Sequence, residues 1–230
     1  MKKKKYLLAG CLLALLNACG GNGQQPANEA EWKETAAGVW TASVGTPEKV
    51  NLTSELHIQP KLEAISQMGD ASLPFQPADI TMQVTDGKTY LRFPLEEGEK
   101  IFGLGLNFQT VEQRGRILRL HVDHYGGNDN GRTHAPVPFF VSSRGYGAFI
   151  NSARYLDAWI GTSIRKDSKH PPVVRDRNTD KEWEAQPYSD NLEFLVPAEG
   201  VEVVLFAGPT LLDVVRRFNL YNGGGTLPPR

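Results

Sequence analysis

An all-β fold, an antiparallel β-sandwich with one C-terminal amphipathic helix, is predicted by three observations on the 230-residue sequence. Short β-branched and aromatic stretches recur along the chain, turn-forming pairs separate them, and only one segment carries a helical period. The stretches are 38–44, 79–84, 89–93, 117–122, 137–142, 147–151, 155–160, 191–196 and 201–207. Asp86-Gly87, Arg144-Gly145 and Glu199-Gly200 fall where a hairpin or tight reversal is needed, since glycine accepts the positive φ that such turns require. The helix opens after Pro209, with Thr210 as its cap and Asp213 three residues on, near the positive end of the helix dipole. Leu211, Leu212, Val215 and Phe218 predict an apolar stripe laid against a neighbour, and Gly223 predicts the stop.

The N-terminus predicts export. Lys2 to Lys5 form a basic region, Leu7 to Leu16 an apolar one, and Leu16-Asn17-Ala18-Cys19 follows, the pattern of a bacterial lipoprotein signal over 1–18 with acylation of Cys19. The competing reading is an ordinary secretory signal with Cys19 incidental. The apolar run is shorter than the roughly 20 residues that span a bilayer. The only other cysteine, Cys11, leaves with the signal, so burial rather than a disulfide must hold the exported fold. Gly20, where an Asp would signal inner-membrane retention, points to the outer membrane of a Gram-negative cell envelope, on either face. Residues 19–31, small and polar, predict a flexible tether. The folded domain is expected over 32–222, a length that one sandwich fills. A net charge of −1 with no basic face speaks against nucleic acid as a partner.

One region carries a family resemblance. Phe102-Gly103-Leu104-Gly105, Gln113-Arg114-Gly115, Asp123-His124-Tyr125-Gly126 and the string Pro138-Phe139-Phe140-Val141-Ser142-Ser143-Arg144-Gly145-Tyr146-Gly147 resemble, in order and spacing, the N-terminal β-sandwich of glycoside hydrolase family 31. Val203 to Ala207, Pro209, the following helix and Leu227-Pro228-Pro229-Arg230 are similar to the stretch that leads into that family's catalytic barrel. The resemblance covers roughly 38–230. It implies a galactose-mutarotase-like sandwich followed by a (β/α)8 barrel, with 223–230 as the linker into a barrel that this chain lacks. It also implies retaining hydrolysis of α-glycosides, most often α-glucosides. Retention requires two carboxyl groups about 5–5.5 Å apart; in the family both are barrel aspartates. No catalytic residue and no cofactor is therefore expected within this chain.

The resemblance further implies that the loop from Val122 to Thr133 reaches the sugar pocket. Asp123 matches the position of a carboxylate near substrate hydroxyls, a group able to accept from two of them at once; the alternative is a carboxylate that caps its own loop. His124 and Arg132 are further candidate sugar contacts, with Asn128 and Asp129 on the same loop, although Asn and Gly also serve simply to close a long turn. Where many members carry Glu and an aromatic after the Gly-Leu-Gly string, this chain has Leu106-Asn107-Phe108. That departure is compatible with a subgroup acting on α-linked xylose or galactose.

Other motifs weaken on chemical grounds. Gly103-Leu104-Gly105 as a phosphate loop would have to open a helix, whereas a strand is expected after it. His121, Asp123 and His124 do not make a metal site, because 121 and 123 share a strand face and 124 points away. Asn128-Asp129-Asn130-Gly131 lacks the spaced oxygens and terminal Glu of a calcium loop. Residues 165–183 mix both charges with Pro171-Pro172 and predict a solvated loop. The expected partners are an α-linked carbohydrate, a catalytic barrel in the same longer chain, and a membrane through the lipid anchor. A free-standing, non-catalytic carbohydrate-binding lipoprotein is the alternative. An epimerase using His121 or His134 is a remote third, since no companion Glu is placed for it.

Overall fold

The computed structural model describes residues 30–107, 110–122, 135–162, 178–179 and 188–225. Eleven strands form two sheets among these residues: β1 Lys33–Ala36, β2 Val39–Gly45, β3 Thr81–Thr85, β4 Lys88–Pro94, β5 Ile101–Gly103, β6 Ile117–Leu120, β7 Phe139–Ser142, β8 Tyr146–Asn151, β9 Leu156–Thr162, β10 Tyr188–Val196 and β11 Gly200–Ala207. One sheet has the order β1-β2-β11-β8-β7-β5 and the other β3-β4-β10-β9-β6. Every strand pairing is antiparallel. Three α-helices, α1 Leu52–Glu55, α2 Leu62–Ser66 and α3 Leu211–Tyr221, and a short 3-10 helix at Pro77–Asp79 complete the described fold.

The two sheets differ in pattern because they differ in what covers them. In the five-stranded sheet β4 and β10 alternate buried and more open residues, so one face meets the core and the other water. In the six-stranded sheet β8 is buried throughout and β11 nearly so. Val201, Val203 and Leu205 enter the core between the sheets, whereas Val204 and Phe206 enter a second cluster beneath α3. The inter-sheet core is centred on Phe93, Phe140 and Phe194, with ring centroids 5.2–6.0 Å apart. On the outer side Phe218 of α3 stacks on Phe139 at 3.8 Å and a 5° interplanar angle.

All nine predicted stretches are strands, and Asp86-Gly87 is a hairpin turn with positive φ at both residues. Glu199-Gly200 reverses the chain between sheets rather than within one: β10 ends in the five-stranded sheet and β11 begins in the six-stranded one. Three expectations need correction. β1 and β5 are strands that periodicity does not reveal. A strand precedes Gly103-Leu104-Gly105 rather than following it. The buried face of α3 is Val214, Arg217 and Tyr221, while Leu212 is 66 % exposed and Leu211 37 %. The reason lies in Arg217, whose Nε donates to Ala37 O at 3.1 Å and whose Nη2 donates to Gly69 O at 2.6 Å. These bonds turn the helix so that a polar residue lies at the centre of its packed face. The cap is as expected, with Thr210 Oγ1 accepting from Asp213 N.

Tyr221, at the end of α3, gives the fold an alkaline limit. Burial first, and then the charge of Glu202, push its phenol from 10.0 up to about 12. In the unfolded chain it ionises at its ordinary value, so its contribution is complete below pH 10 and is lost as pH rises towards 12. Tyr221→Phe is expected to lose less stability over that interval than the parent protein, by up to about 2 kcal/mol. Urea denaturation at a series of pH values measures this. Identical pH dependence in the two proteins would show that the phenol is as well solvated when folded as when unfolded.

Candidate functional site

The site predicted from sequence is rooted at one end of the sandwich. β6 runs antiparallel to β9 with Leu120 opposite Leu156, so the chain leaves the five-stranded sheet at His121, beside Tyr155. It re-enters after Ala135 at β7, whose first residue, Phe139, lies opposite Phe149 in the six-stranded sheet. The short β10-to-β11 reversal joins the sheets at that same end. Asp123, His124, Arg132, Asn128, Asp129 and His134 lie outside the described residues, as do Cys19 and most of 165–183. What the structure supplies is the footing on each side.

The first footing is aromatic and ionic. The His121 ring packs edge-on against Tyr155, centroids 4.1 Å apart. The turn that carries Tyr155 is tied down by Arg154, whose Nη2 lies 2.6 Å from Glu48 Oε1. The hydrogen bond from Arg154 holds the Glu48 carboxyl below its ordinary value. His121 is thus engaged in packing. Among the described residues no three His, Cys, Asp or Glu side chains come together as a metal site.

The second footing is an unusual backbone. Gly103, Leu104 and Gly105 have φ of +100°, +62° and +94° in succession. For Leu104, which is fully buried, this region costs on the order of 1–2 kcal/mol. The turn is held by its contacts. Leu104 N donates to Phe139 O at 2.8 Å, and Leu106 N donates to Ala135 O at 3.1 Å. Asn107 Nδ2 donates to the carbonyls of Gly103 and Gly105, both at 3.1 Å. A Cβ on Gly103 would lie 2.7 Å from Phe139 O, and one on Gly105 would lie 2.3 Å from Ala135 O. The glycines are therefore required by close backbone approach, and the string Phe102 to Asn107 clamps the strand that emerges from the predicted sugar loop. Sequence reasoning treated Asn107 only as a departure from a pattern; here its amide closes the turn whose backbone makes the clamp.

A buried polar cluster at the opposite end of β7 and β8 also escaped the sequence reading. Glu99, 2 % exposed, accepts from Ser142 Oγ at 2.5 Å and from Glu96 N at 2.8 Å. Arg114 Nη1 donates to the carbonyls of Glu96 and Glu99. Burial, and then the Glu99 charge, hold the Tyr146 phenol well above its ordinary value, so it stays protonated. The arrangement ties the 95–100 connection and Arg114 to the β7–β8 hairpin, accounting for the Gln113-Arg114-Gly115 and Ser142-to-Tyr146 parts of the motif in structural terms.

Residues 17–157 match the family model described as the glycosyl hydrolase 31 N-terminal galactose mutarotase-like domain. The chain belongs to this family. Among curated relatives, the alpha-xylosidase XylQ of Lactiplantibacillus pentosus is 25 % identical over 142 residues, 61 % of this chain and 15 % of that protein. The alpha-xylosidase of Emericella nidulans is 32 % identical over 89 residues, 38 % of this chain and 11 % of that protein. Of solved structures, the Flavobacterium johnsoniae GH31 dextranase complexed with glucose superimposes with a TM-score of 0.54 at 15 % identity, covering 85 % of this chain and 26 % of its own. That likeness establishes the glycosyl hydrolase 31 sandwich fold. The chain spans between about a tenth and about a quarter of the length of these relatives.

Proposed function

We propose that this chain is the N-terminal domain of an exported, lipid-anchored retaining α-glycosidase, to which it contributes the substrate-pocket loop carrying Asp123. The observation that carries the reading is the family match over 17–157 in a chain spanning 15 % of an alpha-xylosidase. Catalysis then falls to a barrel belonging to the longer protein, and the sandwich presents polar groups to the sugar. The footings at His121–Tyr155 and Gly103–Asn107 support this division, because a loop that orients a ligand needs rigid ends. α-Glucosides are the first substrates to test, and the two xylosidase relatives add α-xylosides.

The purified 230-residue chain is expected to release no aryl alcohol from aryl α-glucosides or α-xylosides. Turnover by this chain alone would place the nucleophile inside it and overturn the proposal. In the longer enzyme, Asp123→Ala is expected to lower kcat/KM by about 10- to 100-fold, the loss of one or two hydrogen bonds to a charged group, with melting temperature unchanged. Kinetics equal to those of the parent enzyme would remove Asp123 from the pocket. Anchoring is read separately: Cys19→Ala should abolish fatty-acid labelling and release the protein from the membrane fraction, and undiminished labelling would refute acylation at Cys19.

A further inference from the structure

The outer face of the six-stranded sheet is only partly covered by helix. Alternation along β11 sends Glu202, Val204 and Phe206 outward; Val204 and Phe206 lie in the apolar cluster with Val214, Phe218 and Tyr221 of α3, whereas Glu202 lies beyond the end of that helix. A concavity of about 500 Å³ opens there, lined by Asn51, Thr53, His57, Gln59, Glu202 and Tyr221 among others. Its wall is built rather than incidental. Asn151 reaches out of β8 to donate to Glu202 Oε1 at 2.9 Å and to Thr53 Oγ1 at 2.9 Å, and its Oδ1 accepts from Thr53 N at 3.1 Å. The start of α1 is closed by a capping box between Asn51 and Ser54, so the wall opposite Glu202 is fixed as well. Lys61 N donates to Leu220 O at 3.0 Å and holds the 56–60 segment over the end of α3.

The lining selects a ligand class. Glu202 makes no ion pair among the described residues, and one of its oxygens is engaged by the neutral Asn151 amide. Two phosphate-binding features are missing from the lining: it contains no Lys or Arg, and no helix of useful length points its N-terminus inward. One carboxylate is too few ligands for a divalent cation. The floor, with a carboxylate and a phenol, is too polar for an apolar guest. A neutral molecule with several adjacent hydroxyls meets every requirement: the carboxylate accepts, Tyr221 donates and accepts, and His57 and Gln59 offer further polar groups at the rim. The volume lies in the ordinary range for small-molecule sites.

We propose that this concavity is a binding site for a mono- or disaccharide, with Glu202 and Tyr221 as its floor and His57 and Gln59 as its rim. The ligand class follows from the lining; the choice of sugar probes rests on the glycosidase reading. The test is titration of the purified full chain with D-glucose, D-xylose and isomaltose by calorimetry, alongside Glu202→Gln and His57→Ala. Saturable binding of at least one probe is expected, weakened about tenfold by Glu202→Gln, the loss of one hydrogen bond to a charged group. His57→Ala, on an exposed rim residue, is expected to weaken it severalfold with an unchanged melting temperature, which keeps the test decisive should Glu202→Gln fail to fold. Absence of binding by all three sugars overturns the proposal. So does binding of equal strength in the parent and both variants, which places the sugar elsewhere. The assay reads binding and not turnover, so it can fail while the proposed glycosidase activity stands, and the converse.

Discussion

Gly105→Ala is expected to destabilise the domain by at least about 3 kcal/mol, a fall in melting temperature on the order of 10 °C for a domain of this size. Two costs combine. At φ +94° any side chain is strained, and the added Cβ would stand 2.3 Å from Ala135 O and 2.9 Å from Pro136 Cα, both backbone atoms that cannot swing aside. Gly115→Ala separates the two costs, because Gly115 also has positive φ, at +88°, but nothing lies within 4 Å of the added atom. It is expected to cost only about 1 kcal/mol. Chemical denaturation of both variants supplies the comparison. Equal losses would mean that the 135–136 backbone relaxes freely, and the clamp on the emerging strand would then have no energetic basis.

Arg217→Met is expected to cost about 3 kcal/mol, although it replaces a charge with an apolar chain of similar reach. Arg217 is 1 % exposed and heads the fully buried side chains by volume. Its guanidinium fastens α3 to Ala37 in the β1–β2 turn and to Gly69 after α2. Removing it takes the donor from two part-buried carbonyls and disturbs the packing around a fully buried side chain, at about 1–2 kcal/mol for each loss, offset in part by relief of the buried charge. Arg217→Lys is expected to be no better, because an ammonium on a single stem cannot span the two carbonyls as the planar fork does. A Met variant as stable as the parent would show that desolvation of the cation cancels both bonds.

The sandwich was legible because its strands carry their own signal: alternation in β4 and β10, unbroken apolar runs in β7 and β8. Where a strand depends on its partner, the signal fails. β5 has three residues and exists through its pairing with β7, and β1 is a Lys-Glu-Thr-Ala segment ordered by the turn at Gly38. In α3 two apolar registers compete, one through Leu211, Val215 and Phe218 and one through Val214, Phe218 and Tyr221. An arginine decides between them, and hydrophobic periodicity counts an arginine as solvent-facing. The candidate site divides in the same way. The glycines of the Gly103-to-Asn107 string could be read as special, but the left-handed φ of Leu104 is held by contact with Phe139, more than two dozen positions on, and the two bonds that Asn107 donates to Gly103 and Gly105 form only on that turn. The Glu99 cluster likewise joins groups 43 residues apart.

The two footings of the 123–134 segment stand on different sheets, and each is fixed by contacts among the described residues, His121 with Tyr155 on one side and Leu104 and Leu106 with Phe139 and Ala135 on the other. Closing a flexible connection between two such points costs little extra as it lengthens, about 0.6 kcal/mol for each doubling. The anchors themselves keep their places through backbone bonds and ring packing that are complete among the described residues. A domain with its anchors pinned in this way holds a constant span between its two sheets at that end.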